Sequence, residues 1–188
     1  MIRLVFPSQR SIHTRGPFGL LRVRTRPGQR TKGLLTAGRL SIPVSLGRGG
    51  IRADKREGDG GTPRGRFQLR RLWWRADRAP RPRTRLPVRP IRPDDAWSED
   101  PADRRYNRAF RRRPDQAGDR LWREDHLYDF IIEIAHNTRP RVAGRGSAVF
   151  IHLAREGFAP TAGCVGLSRG ALTRLLERVG PHTRIHIR

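Results

Sequence analysis

Cys164 lies in "TAGCVGLS" (161–168), between Gly163 and Gly166, and is the only cysteine of the chain. With no second cysteine there is neither an intramolecular disulfide nor a cysteine-only zinc site, so the thiol is either a small buried filler or a nucleophile. A thiol is mostly protonated at neutral pH, and an adjacent imidazole or a helix N-terminus lowers its pKa. His152 stands twelve residues upstream at the end of the strand-like run "GSAVFIHL" (146–153), and the turn-rich "AREGFAPTAG" between them lets the chain double back. Gly163 and Gly166 allow a close backbone approach, so the amides of Gly163 and Cys164 are candidates for an oxyanion hole. The chemistry of such a group is nucleophilic catalysis by a thiolate.

The elements that must position these residues are mostly strands. "IRLVF" (2–6), "LLRVRTR" (20–26), "GLLTAGRLSIPVSLG" (33–47) and "GRFQLRRLWW" (65–74) are short runs with β-branched and aromatic residues, broken by glycine and proline. The arginine- and proline-rich stretch from Arg75 to Pro93 disfavours both helix and central strand and is expected as a loop or edge crossing. "DDAWSEDPADRRYNRAFRRRP" (94–114) has no period and is expected as an ordered, lid-like insertion within about 75–125, with Trp97 and Tyr106 as anchors. "LYDFIIEIAHN" (127–137) and "GSAVFIHL" are the most strand-like runs. The period then changes: Leu172, Leu175, Leu176 and Val179 fall on one helical face after Ser168 as N-cap, closed by Gly180 and Pro181, and "TRIHIR" ends the chain as a strand. The positive end of that helix is expected to favour the Cys164 thiolate.

Length fits one domain over 1–188. The net charge is +24, and of 41 Lys and Arg only Lys32 and Lys55 are lysine. Such a charge attracts polyanions or carboxylates. No zinc finger, GXXG clamp or aromatic RNP strand accompanies it, so nucleic acid is not the expected partner, although a basic nucleic-acid module with an inert cysteine remains the rival of another class. No metal-ligand spacing emerges among the six histidines and the cysteine, and His13, His126, His182 and His186 have no evident partners. The apolar run near the N-terminus is too short for a signal peptide, and no stretch reaches membrane-spanning length.

"IHLAREGFAPTAGCVGLS" resembles the active-site signature of the L,D-transpeptidase catalytic domain, the YkuD family: His152 matches its strand histidine, and Thr161, Gly163 and Cys164 its Ser/Thr-x-Gly-Cys turn. Upstream, "KREGDGGTPRGRFQL" (55–69) resembles a second family segment through Gly58, Asp59, Thr62, Pro63, Gly65 and Phe67. "DDAWSEDPADRRYNR", "LWREDHLYDFIIEIAHN" and "GRGSAVFIHL" resemble a compact branch, and the likeness is strongest over 34–188. Many members carry His two residues before the cysteine and Arg two after it, where this chain has Ala162 and Gly166.

The resemblance implies a mainly β, sandwich- or barrel-like fold with a helix beside the catalytic cysteine turn. It also implies a peptidoglycan L,D-transpeptidase with Cys164 as nucleophile and His152 as base, the other imidazole nitrogen held by a backbone carbonyl. His136, whose ordinary role at a strand end is structural, joins Asn137, Ser147, Arg104 and Arg108 as expected substrate-binding residues. No cofactor or metal is expected. Peptidoglycan stem peptides are the implied partners, carbapenems the implied inhibitors, a monomer the expected state and the periplasm or cell envelope the implied location. A 3,3 cross-link is the usual product, a 1,3 link from L-alanine to diaminopimelate the product of a divergent α/β-proteobacterial group. Carboxypeptidase action or D-amino-acid exchange would use the same site.

Overall fold

The computed structural model describes residues 16–188; the strand expected at 2–6 and His13 lie outside them. In chain order the elements are β1 (Leu20–Arg26), β2 (Gln29–Ala37), β3 (Leu40–Ser45), β4 (Ile51–Arg52), β5 (Thr62–Pro63), β6 (Gly65–Trp74), β7 (Val88–Pro90), β8 (Asp95–Trp97), β9 (Ala109–Arg111), β10 (Asp119–Arg120), β11 (Phe130–Ile134), β12 (Phe150–Leu153), β13 (Val165–Leu167), α1 (Arg169–Leu176) and β14 (Arg184–Ile187).

Hydrogen bonding runs β11-β12-β13-β3-β2-β1-β14-β6, and β6 pairs again with β11, so the sheet closes into a barrel-like ring. The ten-residue β6 makes closure work: its first half pairs with β14 and its second half with β11. The fold is mainly β, as the sequence implies.

Alternation along each strand decides what faces where. Leu21 and Val23 of β1 are buried while Arg22 and Arg24 are exposed. Leu72, Ile132 and Ile151 belong to the core inside the ring, whereas their neighbours Trp73, Ile131 and Phe150 point outward into a second apolar cluster with Trp97, Tyr128 and Cys164. Residues 94–121 cover that outer cluster as a three-stranded sheet, β10-β8-β9. Trp97 packs edge-to-face on Phe150, with ring centroids 5.0 Å apart, and both Trp97 and Tyr106 are buried. This insertion is thus bolted to the outside of the barrel beside the cysteine.

The Arg75–Pro93 stretch is loop with one short edge strand, β7, parallel to the end of β6 at the margin of the sheet, where proline costs no ladder bond, in line with the expected loop or edge crossing. Two local expectations are corrected. The run 146–153 is a strand only from Phe150, because Ala148 at φ 50 bends the chain upstream. Ser168 precedes α1 and its carbonyl accepts from Leu172 N–H, but its side chain makes no capping bond.

Candidate active site

β12 and β13 run parallel, with His152 opposite Gly166 and Ile151 opposite Val165. Cys164, two residues before Gly166, therefore faces the same side as His152 and Phe150. Cys164 and His152 line one open cleft of about 470 Å³. The site sits on the outer face of the ring.

The thiol is held by main chain. Sγ donates to Ala148 O at 3.2 Å and accepts from Phe150 N–H at 3.4 Å. Ala148 adopts a left-handed φ of 50°, which a non-glycine residue holds only when its surroundings impose it. Asn107, from the insertion, supplies that constraint: Oδ1 accepts from Ala148 N–H at 3.2 Å, and Nδ2 donates to His136 O at 3.0 Å and Asn137 O at 2.8 Å.

His152 Nδ1 lies 2.7 Å from Leu153 O. A carbonyl only accepts, so the proton is assigned to Nδ1 and the lone pair to Nε2, the arrangement a general base needs. Tyr128 packs edge-to-face on the imidazole at 5.5 Å and donates its hydroxyl to Asp119 Oδ2 at 2.8 Å. Burial lowers the His152 pKa to about 4 and pushes Cys164 up to about 12. The resting pair is a neutral imidazole and a neutral thiol. The thiolate-favouring effect expected from α1 is corrected on this point: all of β13 separates Cys164 from the helix start, roughly 10 Å of extended chain.

The cysteine turn is braced from within and from behind. Thr161 Oγ1 donates to Cys164 O at 2.7 Å and accepts from Gly163 N–H at 3.1 Å. That bond occupies the Gly163 amide, leaving the Cys164 amide as the oxyanion candidate of the two. Gly163 has φ 144, and a Cβ there would lie 2.9 Å from Gly61 O, so the "GDGGTP" segment is the wall behind the turn. Asp59 folds that segment by accepting from Lys55 Nζ at 2.6 Å, Arg56 N–H at 2.9 Å and Gly61 N–H at 2.7 Å. Thr62 Oγ1 accepts from Gly47 N–H at 2.8 Å, while Leu46 and Arg48 bond the main chain of Thr161.

The remaining sequence-selected residues fall in different places. Ser147 lines the cleft, and its buried Oγ has no partner. His136 does not line it: its Nε2 lies 2.9 Å from Arg145 O, and its ring packs on Phe67. Asn137 spends its amide on Val142 and Gly146 main chain. Arg104 is exposed and lines neither this cleft nor a second one of about 360 Å³, where Arg108 sits with Arg70, Arg71, Arg89, Arg139 and Arg141. The cations of the cysteine cleft are Arg48, Lys55, Arg123 and Arg155, and its acids are Glu57, Glu99 and Asp119. Among the described residues no group of three or more His, Cys, Asp or Glu is placed to hold a metal ion.

The family model of the L,D-transpeptidase catalytic domain, YkuD, matches residues 25–187. The chain belongs to the YkuD family. Its structure is similar to that of Mycobacterium tuberculosis L,D-transpeptidase 1, at 13% identity and a TM-score of 0.38, over 92% of this chain and 61% of that one. The chain thus spans less than two thirds of that structure. No curated protein sequence matches.

Within this YkuD domain the departure at Gly166 has a steric cause. A Cβ there would lie 2.3 Å from the buried Ser45 Oγ and 3.2 Å from Ala154 Cα, so no arginine fits. Tyr128, Asn107, Glu99 and Asp119 are not singled out by the sequence. The only signal for Tyr128, Asn107 and Glu99 there is membership of the segments that resemble the compact branch; Asp119 lies in none of those segments and reaches the cleft through its pairing with Trp97.

Proposed function

We propose that this YkuD domain is a peptidoglycan L,D-transpeptidase in which Cys164 is the nucleophile and His152 the general base. The observation that carries the reading is the placement of both side chains on one face of the β12–β13 pair, at the cleft, with Nδ1 tied to Leu153 O and Nε2 left as the basic nitrogen.

The reaction follows from a neutral resting pair. As Sγ attacks a stem-peptide carbonyl, its proton leaves Ala148 O and passes to His152 Nε2, so the imidazolium exists only while negative charge develops on the carbonyl oxygen. The Cys164 amide donates to that oxygen. His152 returns the proton to the departing amine, leaving a thioester on Cys164. An acceptor amine attacks the thioester, and its proton passes through His152 to the departing sulfur. Water or a free D-amino acid in place of the acceptor gives carboxypeptidase action or exchange.

The product is a 1,3 or a 3,3 cross-link, and the departures at Ala162 and Gly166 favour the divergent 1,3 group. The substrate places the reaction in the cell envelope. Incubation of the purified protein with isolated muropeptides, followed by mass analysis, identifies donor, acceptor and bond together. Cross-linked dimers support the reading; muropeptides returned unchanged by a folded protein contradict it. The rival reading of an inert cysteine gives no role to the paired imidazole and the cleft before it.

A further inference from the structure

The second cleft, of about 360 Å³, shares no lining residue with the cysteine cleft. It lies where β6, β7 and β11 meet the insertion and the loop after Asn137, and six of its residues are arginines: Arg70, Arg71, Arg89, Arg108, Arg139 and Arg141. Among the described residues only two carboxylates pair with them, Glu133 with Arg70 and Arg71 and Asp95 with Arg89, so a surplus of four positive charges remains. Like charges gathered in one concavity repel, and an anion relieves that repulsion.

Several of the guanidiniums are held from behind. Glu133 and Asp95 are buried, the first with its oxygens 3.3 Å from Arg70 Nη1 and 3.4 Å from Arg71 Nε, the second 3.0 Å from Arg89 Nη2. Arg141 Nη1 donates to Tyr106 O at 3.2 Å, and Arg89 also lies over the Trp73 ring at 4.4 Å. Each guanidinium carries five donors, more than these contacts use. Arg108 and Arg139 are exposed, and their guanidiniums have no ion-pair or hydrogen-bond partner among the described residues. Side chains ordered in advance lower the entropic cost of binding. Trp73 and Trp97, both buried, line the same cleft, and such apolar walls strengthen charge interactions inside it.

We infer that this arginine cleft binds a phosphate-bearing ligand, apart from the cysteine site. A phosphate monoester carries about two negative charges at neutral pH on three strong acceptor oxygens, and guanidinium meets it in a two-pronged, charge-assisted way. A single carboxylate brings one charge and leaves most of the surplus unmet. The aromatic residues argue against nucleic acid: Trp73 and Trp97 are buried and Arg89 covers the Trp73 ring, so neither offers a free face on which a base could stack. The phosphate belongs to a soluble molecule or to a lipid headgroup, and the chemistry of recognition is the same for both.

Inorganic pyrophosphate, which presents phosphate oxygens and no other group, is the probe. It is titrated calorimetrically into wild type, into Arg108→Gln/Arg139→Gln, and into the charge-matched Arg81→Gln/Arg104→Gln, whose positions are exposed and line neither cleft. The first double variant should weaken binding about tenfold or more, and the second should leave it within about twofold. No binding by wild type, equal losses in the two variants, or citrate bound as tightly as pyrophosphate would overturn the inference. Sedimentation of the protein with phosphatidylglycerol vesicles, reversed by pyrophosphate, would place the phosphate on a lipid headgroup; pyrophosphate binding without sedimentation would place it on a soluble molecule. Acyl transfer is not among these readouts, so failure here leaves the transpeptidase reading intact.

Discussion

His152 and Gly166 face each other across β12 and β13, which sets Cys164 one diagonal step from the imidazole on the same face. Gly166 contributes no side chain to that face, so the thiol and the ring share the cleft without an intervening group. His152→Gln is expected to lower acyl transfer roughly 10²–10⁴-fold by removing the proton acceptor. It also changes the pH dependence of stability. His152 is held at about 4 in the folded chain against 6.5 unfolded, so stability present above pH 6.5 is lost as pH falls towards 4. Urea unfolding should show wild type losing about 3 kcal/mol more than His152→Gln over that interval. Parallel pH profiles would contradict the burial of a neutral imidazole.

The Cys164 thiol, pushed up to about 12 chiefly by burial, is expected to react with iodoacetamide slowly at neutral pH. Only the thiolate is alkylated, so the rate should climb about tenfold per pH unit between pH 7 and 10. A plateau below pH 9 would show a preformed thiolate and would reverse the order of proton transfer and attack.

Much of this architecture is legible in the residues. β6 coincides with the expected run 65–74, β1 with 20–26, and Leu172, Leu175 and Leu176 are the buried face of α1. These are local patterns, set by the period of burial. The acidic side of the cleft is not local: Glu99 and Asp119 meet only because β10 pairs with β8, and nothing in either segment's periodicity announces that partner. The strained Ala148 is likewise invisible, since its conformation is imposed by Asn107 forty-one residues away. The arginines of the insertion mislead for the same reason. Proximity in sequence to the anchors Trp97 and Tyr106 suggests Arg104 and Arg108 for the substrate groove, whereas the fold turns Arg108 to a different cleft.

That placement gives a prediction for binding. Arg48 and Arg155 line the cysteine cleft and are the guanidiniums open to stem-peptide carboxylates. Replacing both with glutamine should raise the muropeptide KM about fivefold or more and weaken its salt dependence. Replacing Arg104 and Arg108 should leave KM within about twofold, since these charges face elsewhere. The opposite ranking, measured in steady-state kinetics at two ionic strengths, would contradict the cleft as the substrate groove.

Gly166 tests the packing behind the site. A methyl group there meets the Ser45 hydroxyl, which is fully buried and unpartnered, so Gly166→Ala should destabilise the domain by about 1–3 kcal/mol in urea unfolding. Ser45→Ala in the same chain should restore most of the loss by removing the oxygen that clashes. A single variant as stable as wild type would show that β3 and β13 are less tightly joined than their register implies.

The central claim is that one sulfur carries the acyl group, and intact-protein mass spectrometry tests it most directly. Wild type quenched in acid during turnover of muropeptides should carry a thioester adduct that maps to the peptide containing Cys164, and a carbapenem should add its mass at the same residue. Cys164→Ala should fold, show neither adduct and form no cross-link. Cross-links from the Cys164→Ala protein, or an adduct mapped to any other residue, would contradict the account.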